Sequence, residues 1–246
     1  MGLPCGVFNT NYKSEMAIVR TRTQWTLLIV GLGILFCLPF FLAQKWLLMI
    51  NVAGISLIAA LGLHILLGLC GQISVGQAAF VGVGAYVYAY LVVHQEISCL
   101  LAIPVAAISV GLVSLIFGLP SGRVKGFYLA MMTLGAQFLL LWCFGHIAPD
   151  ILGGGDGMVV PRAAMADISL RTEAQQFYLI MPIAIIALFF AKNIARTKIG
   201  RAFIAIRDNE LSAQLMGISP FNYKIVACFI CGLYAGVAGA LWAQYL

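Results

Sequence analysis

Seven continuous apolar runs, at 25–43, 46–69, 77–93, 99–119, 127–147, 176–192 and 225–246, constrain this chain more than any other feature. About 20 apolar residues carry an α-helix across the hydrocarbon core of a bilayer. Inside that core each backbone amide and carbonyl needs a partner within the protein, which leaves helices and closed barrels. The runs do not alternate polar and apolar residues at a period of two, so they predict helices. Hydrophobic residues are 63% of the 246 positions and charged residues 9%, far outside the range of soluble domains. The fold class expected is an all-α integral membrane protein, a polytopic bundle of about seven spans.

The few charges give the orientation. With the N-terminus cytoplasmic, the inner segments hold Lys13, Arg20, Arg22, Arg123, Lys125, Lys192, Arg196, Lys198, Arg201, Arg207 and Lys224, which is 11 of the 14 basic residues. Only Lys45, Arg162 and Arg171 stay outside, the asymmetry expected of a correctly counted membrane protein. The excess of basic residues therefore reports topology rather than nucleic-acid binding. The division that follows is a cytoplasmic segment at 1–24 and a transmembrane domain at 25–246, with an external loop at 148–175 and an internal loop at 193–224. No cleavable signal pattern precedes the first run.

All eight acids, Glu15, Glu96, Asp150, Asp156, Asp167, Glu173, Asp208 and Glu210, fall outside these spans. A proton relay or general base must titrate where its substrate sits, so proton-coupled transport and intramembrane hydrolysis are disfavoured. His64, in the second run, is the one ionisable candidate at depth for a pathway role, against the plainer reading of a hydrogen bond to a neighbouring helix. The seven cysteines lie mostly in apolar runs and read as small buried hydrophobes, the Cys228/Cys231 pair included, so no metal site is expected. Gly118 to Gly126 and the GGGDG at 153–157 both lack a phosphate-binding P-loop pattern, so any ATPase is a separate polypeptide.

Two stretches stand out against this background. GQISVGQAAFVGVGAY at 71–86 sets Gln72, Ser74 and Gln77 among Gly71, Gly76, Gly82 and Gly84. Glycines let membrane helices approach closely, and amides facing lipid would be costly, so the three polar residues are expected to face protein or an internal pathway or gate. The last run carries its own small face, Gly232, Gly236 and Gly239, read as helix packing. The internal loop interleaves Phe203, Ile204, Ile206, Leu211, Leu215 and Met216 with Arg201, Arg207, Asp208, Glu210 and Gln214 at helical spacing, which predicts short amphipathic helices at the membrane surface. Pro220 predicts a break before the last span.

GLCGQISVGQAAFVGVGAYV at 68–87, GRVKGFYLAMMTLG at 122–135 and IGRAFIAIRDNELSAQLMGISPFNYKIVAC at 199–228 together resemble the LivM-type permease subunits of branched-chain amino acid ABC importers. LGGGDGM at 152–158 is similar to that family's external glycine turn. The resemblance implies a permease in a bacterial inner membrane that performs no covalent chemistry and binds no cofactor itself. It implies a second homologous permease, two cytoplasmic ATPases that hold ATP and Mg, and an external substrate-binding protein.

It also implies a coupling helix docking on the ATPase at Glu210, Ser212, Ala213 and Gly217, with Arg207, Asp208 and Glu210 as charges at its rim. Leu211 stands where the general permease pattern prefers an acid, and Gln77 where the signature commonly carries His. Related permeases usually continue past the segment matching 225–246, so the chain is expected to lack C-terminal spans. The cargo expected is branched-chain amino acids. A permease for urea or short amides, a secondary transporter or channel, and a truncated remnant without function are the alternatives.

Overall fold

The computed structural model describes residues 22–121, 126–146, 158, 164–165, 168–169 and 172–245. The chain divides into two units, Met1–Ala43 and Gln44–Leu246. In the first, α1 runs from Arg22 to Phe41, with Pro39 in its last turn. In the second, α2 (Gln44–Leu63) continues into a π-helical turn (His64–Leu69), followed by α3 (Gln77–His94), α4 (Cys99–Ser121) and α5 (Phe127–His146). Two residue pairs, β1 (Ala164–Met165) and β2 (Ile168–Ser169), form a minimal antiparallel ladder. Then come α6 (Glu173–Ile194), the short α7 (Lys198–Asp208) and α8 (Glu210–Leu215), and α9 (Pro220–Tyr245).

Seven of these helices are long and apolar enough to cross a membrane, and they coincide with the seven expected runs. The protein is a multi-pass helical membrane protein. Calls at 1–21, 122–125, 147–157 and most of the external loop, including the glycine turn, lie outside the described residues.

Helix α9 is the hub of the second unit, packed against α2, α3 and α4. Its sequence explains why. Ala227, Cys231, Ala235, Ala238 and Ala240 are buried, and the glycines among them leave no room for a side chain. A Cβ on Gly236 would sit 2.6 Å from Ala107 Cα, one on Gly84 would sit 2.9 Å from Gly236 Cα, and one on Gly239 would overlap the Val81 carbonyl. Such close approach trades side-chain volume for backbone dispersion contact, the main attraction available to helices in lipid. Thus Gly232, Gly236 and Gly239 pack within the chain, on α3 and α4. The opposite helix faces present Leu100, Leu101, Leu112 and Ile116 outward.

Two boundaries differ from the sequence expectation. Helix α6 begins at Glu173, inside the stretch assigned to the external loop. The Thr172 N–H donates to the Gln175 side-chain oxygen at 3.2 Å, and an acid in the first turn complements the helix dipole. Glu173 then reaches into the bundle, where its carboxylate accepts from Tyr245 Oη at 2.8 Å and from Nδ2 of the fully buried Asn51 at 3.3 Å. An acid therefore does sit at the end of a span, held by the bundle's own donors. Likewise Lys224, counted with the internal loop, lies in α9 and is only 6% exposed.

Candidate functional site

The internal loop folds as two short helices for local reasons. Thr197 caps α7, its hydroxyl accepting from the Gly200 N–H at 3.3 Å. Asn209, in extended conformation, ends α7 and caps α8, its Oδ1 accepting from the Ser212 N–H at 3.1 Å. Gly217, at φ +82°, closes α8, and the next residue returns a hydrogen bond from the Ile218 N–H to the Ala213 carbonyl at 3.0 Å. Helix α7 buries Ala202, Phe203 and Ile206 against the bundle, with the Phe203 ring edge-on to Tyr223 of α9.

This pair of helices is fastened to the membrane domain at two points. Glu210 forms an ion pair at 3.0 Å with the buried Lys224 of α9. Arg207 donates from Nη1 to the Gly68 carbonyl at 2.7 Å, while Asp208 Oδ1 accepts from its Nε and Nη2 at 3.1 and 3.0 Å. Gly68 lies in the last turn of the π-helix, where the Leu66 and Leu67 carbonyls accept from the Gln72 and Gly71 N–H groups and the guanidinium takes the Gly68 carbonyl, at the negative end of the dipole. Gly71, at φ +74°, then turns the chain away, and a Cβ on it would lie 2.8 Å from Arg207 Cγ. Burial pushes the neighbouring Cys70 thiol up to about 12.

Beyond Gly71 the chain runs without regular structure until α3 begins at Gln77. Helix α5 lies along this segment: Thr133 Oγ1 accepts from the Val75 N–H at 3.1 Å, and a Cβ on Gly76 would sit 2.6 Å from the Thr133 carbonyl oxygen. Gly82 faces the same helix, 3.3 Å from the Phe144 ring by the same measure. Gln72 and Gln77 turn inward, 3% and 9% exposed. Their Oε1 atoms accept from the thiols of Cys228 at 3.5 Å and Cys231 at 3.0 Å, one turn apart on α9. The two cysteines thus have glutamine partners, and among the described residues no group of three His, Cys, Asp or Glu is arranged to hold a metal ion.

Of the pathway candidates, Gln72, Ser74 and Gln77 line one cavity with Ser114 and Thr133. His64 does not join them; it is exposed, its ring lying over Gly68. Of the coupling candidates, Ala213 is buried and Glu210 points toward Lys224, whereas Ser212 and Gly217 face outward. Sequence reading placed Leu211, Leu215 and Met216 on amphipathic surface helices but missed that α8 and the residue after it turn them outward, 69%, 89% and 83% exposed. The signal available was apolar spacing of four and five residues in a polar loop. It also missed Lys224 and Cys228 as partners of Glu210 and Gln72, pairings across 14 and 156 residues that no local pattern encodes.

Comparison with known proteins agrees with this architecture. Residues 46–246 match the family described as branched-chain amino acid transport system, permease component. The high-affinity branched-chain amino acid transport system permease protein LivM of Escherichia coli strain K12 is 26% identical over 92% of this chain and 59% of its own length. The Salmonella typhimurium LivM is likewise 26% identical, over 91% of this chain and 58% of its own length. The autoinducer 2 import system permease protein LsrC of Escherichia coli O157:H7 is 25% identical over 94% of this chain and 67% of its own length. The chain thus spans somewhat under two thirds of the LivM proteins it matches. No solved structure matches. With the match covering everything from α2 onward, this chain belongs to the branched-chain amino acid transport system permease-component family.

Proposed function

We propose that the protein is a permease subunit of an ATP-driven importer of branched-chain amino acids, forming the translocation pathway with a second, homologous permease. Two cytoplasmic ATPases carry ATP and Mg, and an external binding protein delivers the cargo. The chain itself binds no cofactor and makes or breaks no covalent bond in the substrate. One observation carries this reading: a cytoplasmic helix, α8, exposes Leu211, Leu215 and Met216 while its own chain is tied through Arg207 and Glu210 to the polar segment beside the cavity.

An exposed apolar ridge on a surface helix fits a groove on a partner protein, with Ser212, Gln214 and Gly217 at its margin. Movement of that partner on ATP binding would be passed by α8 to α7, by Arg207 to the end of the π-helix, and so to Gln72. ATP closure then biases one of two arrangements of the spans, which is alternating access in thermodynamic terms. The likeness to LsrC, an autoinducer 2 import system permease protein, supports a second reading of the cargo, an autoinducer in place of an amino acid.

The test is purification of the complex from native membranes followed by uptake assays. Co-purification of an ATPase and ATP-dependent uptake of leucine are expected. Recovery of the intact chain without an ATPase, or leucine uptake without ATP, would overturn the importer reading. ATP-dependent uptake that excludes leucine would move the cargo to the second reading.

A further inference from the structure

The two glutamines are half satisfied. Each Oε1 accepts a thiol hydrogen bond, yet Gln72 Nε2 and Gln77 Nε2 are both buried and have no partner. A buried amide donor left unmade costs about 1–3 kcal/mol, so two in one segment ask for an explanation. Other polar groups in the shared cavity do not supply one. Ser114 Oγ donates to the Gly111 and Cys228 carbonyls and Thr133 Oγ1 to the Ala130 carbonyl, and neither hydroxyl oxygen accepts from a glutamine Nε2. No charged side chain lines that cavity. The unpartnered glutamine atoms are both donors, in a cavity lined also by Leu66, Phe80, Phe117 and Leu129.

The glutamines also stand at partitions. The shared cavity is narrow, about 30 Å³. On one side, Gln77 borders a groove of about 380 Å³ lined by Ile55, Ala59, Leu63, Val81 and Trp242. Gln77 Nε2 lies toward Gly62 of α2, 3.4 Å from where a Cβ would be. On the other side, Gln72 borders a pocket of about 210 Å³ against Arg207, Asp208, Glu210 and Lys224, two cations balanced by two acids. An apolar groove, a constriction and a polar pocket near the cytoplasmic surface follow one another, with one amide at each junction.

We propose that Gln77 and then Gln72 are successive hydrogen-bond donors that read the carboxylate of a small aliphatic amino acid as it crosses the constriction into the cytoplasmic pocket. The inference rests on the importer reading and adds the chemistry of its inner gate. Neutral amides suit this task better than arginine: they satisfy an acceptor in an apolar passage, yet bind it weakly enough for release. The aliphatic body is accommodated by the groove. The thiols of Cys228 and Cys231 hold each amide by its oxygen, which leaves the N–H groups for the passing ligand.

The experiment uses right-side-out vesicles loaded with ATP, from cells carrying the intact transport system, and follows radiolabelled leucine. Gln72→Met and Gln77→Met each lower the maximal uptake rate about tenfold, the scale of one hydrogen bond to a charged acceptor. Complex yield, measured on the same preparations, keeps the wild-type value and separates a transport defect from a folding defect. Gln77→Glu gives faster uptake at about pH 6 than at about pH 8 relative to wild type, because only the protonated carboxyl can donate. Unchanged uptake in both methionine variants identifies the amides as a packing defect or a water site and overturns the inference alone. A pH-independent Gln77→Glu variant overturns it too. Absence of leucine uptake by wild-type vesicles overturns the amino-acid cargo and this inference with it, whereas the importer reading falls only if no ATPase is recovered with the chain.

Discussion

Replacing Gly71 with alanine tests the connection between the cytoplasmic helices and the polar segment at one atom. Gly71 has φ +74°, where an L-residue other than Asn or Asp is disfavoured by about 1–2 kcal/mol. The added Cβ would lie 2.8 Å from Arg207 Cγ, 3.3 Å from its Cβ and 3.4 Å from its Cα, so the stem of Arg207 has to shift and not merely its tip. That shift draws Nη1 off the Gly68 carbonyl, now 2.7 Å away. A hydrogen bond from a charged donor is worth about 1.5–3 kcal/mol when shielded, and this side chain is 43% exposed, so the lower end applies.

The sum is about 3 kcal/mol against the docked arrangement, a factor of roughly 150 in its population. Gly71→Ala therefore uncouples: purified complex in liposomes keeps its ATP hydrolysis while leucine transported per ATP falls by about tenfold or more. Arg207→Lys, which keeps the charge and loses the planar fork, falls between the two. Full transport per ATP in Gly71→Ala, with an unchanged melting temperature, would refute the reasoning.

Breaking the buried ion pair behaves differently. Lys224→Met alone and Glu210→Gln alone each destabilise, the latter by up to about 3–5 kcal/mol because it strands a buried ammonium, and the double variant recovers most of the loss in thermal unfolding. Gly84→Val drives a branched side chain into the Gly236 backbone, 2.9 Å from its Cβ position, and prevents recovery of a folded chain in mild detergent. Tyr88→Phe removes the buried donor to Cys99 Sγ, whose own thiol bonds Gln244, and lowers stability by about 1 kcal/mol with uptake intact. Cys70, with a folded value near 12 against 9.0, stays unalkylated by maleimide at neutral pH until the protein is denatured. Its contribution to stability is complete below about pH 9 and is lost as the pH rises toward 12.

The spans were legible because hydrocarbon imposes a length and a composition that no local exception hides. Pro220 and Gly217 likewise announced their breaks through fixed and left-handed backbone. Glu173 was misread because hydropathy places a span's edge where polarity begins, whereas the helix begins where Thr172 and Gln175 can cap it. Gln72 and Gln77 could be singled out as polar residues in an apolar run, but nothing local pointed to Cys228 and Cys231, which sit in an unbroken apolar helix. Arg207 and Glu210 were expected to serve a partner through their charge. In the fold they bind Gly68 and Lys224, and the exposed ridge is the apolar Leu211, Leu215 and Met216.

That ridge offers the most direct test of the whole account. A photo-crosslinking amino acid placed at Leu215, which is 89% exposed, in the otherwise native chain and illuminated in intact membranes captures whatever lies against α8. The account predicts a cytoplasmic ATPase as the captured partner, with a yield that changes when ATP is added. Crosslinks to lipid alone, or to an ATPase with no response to ATP, would contradict it.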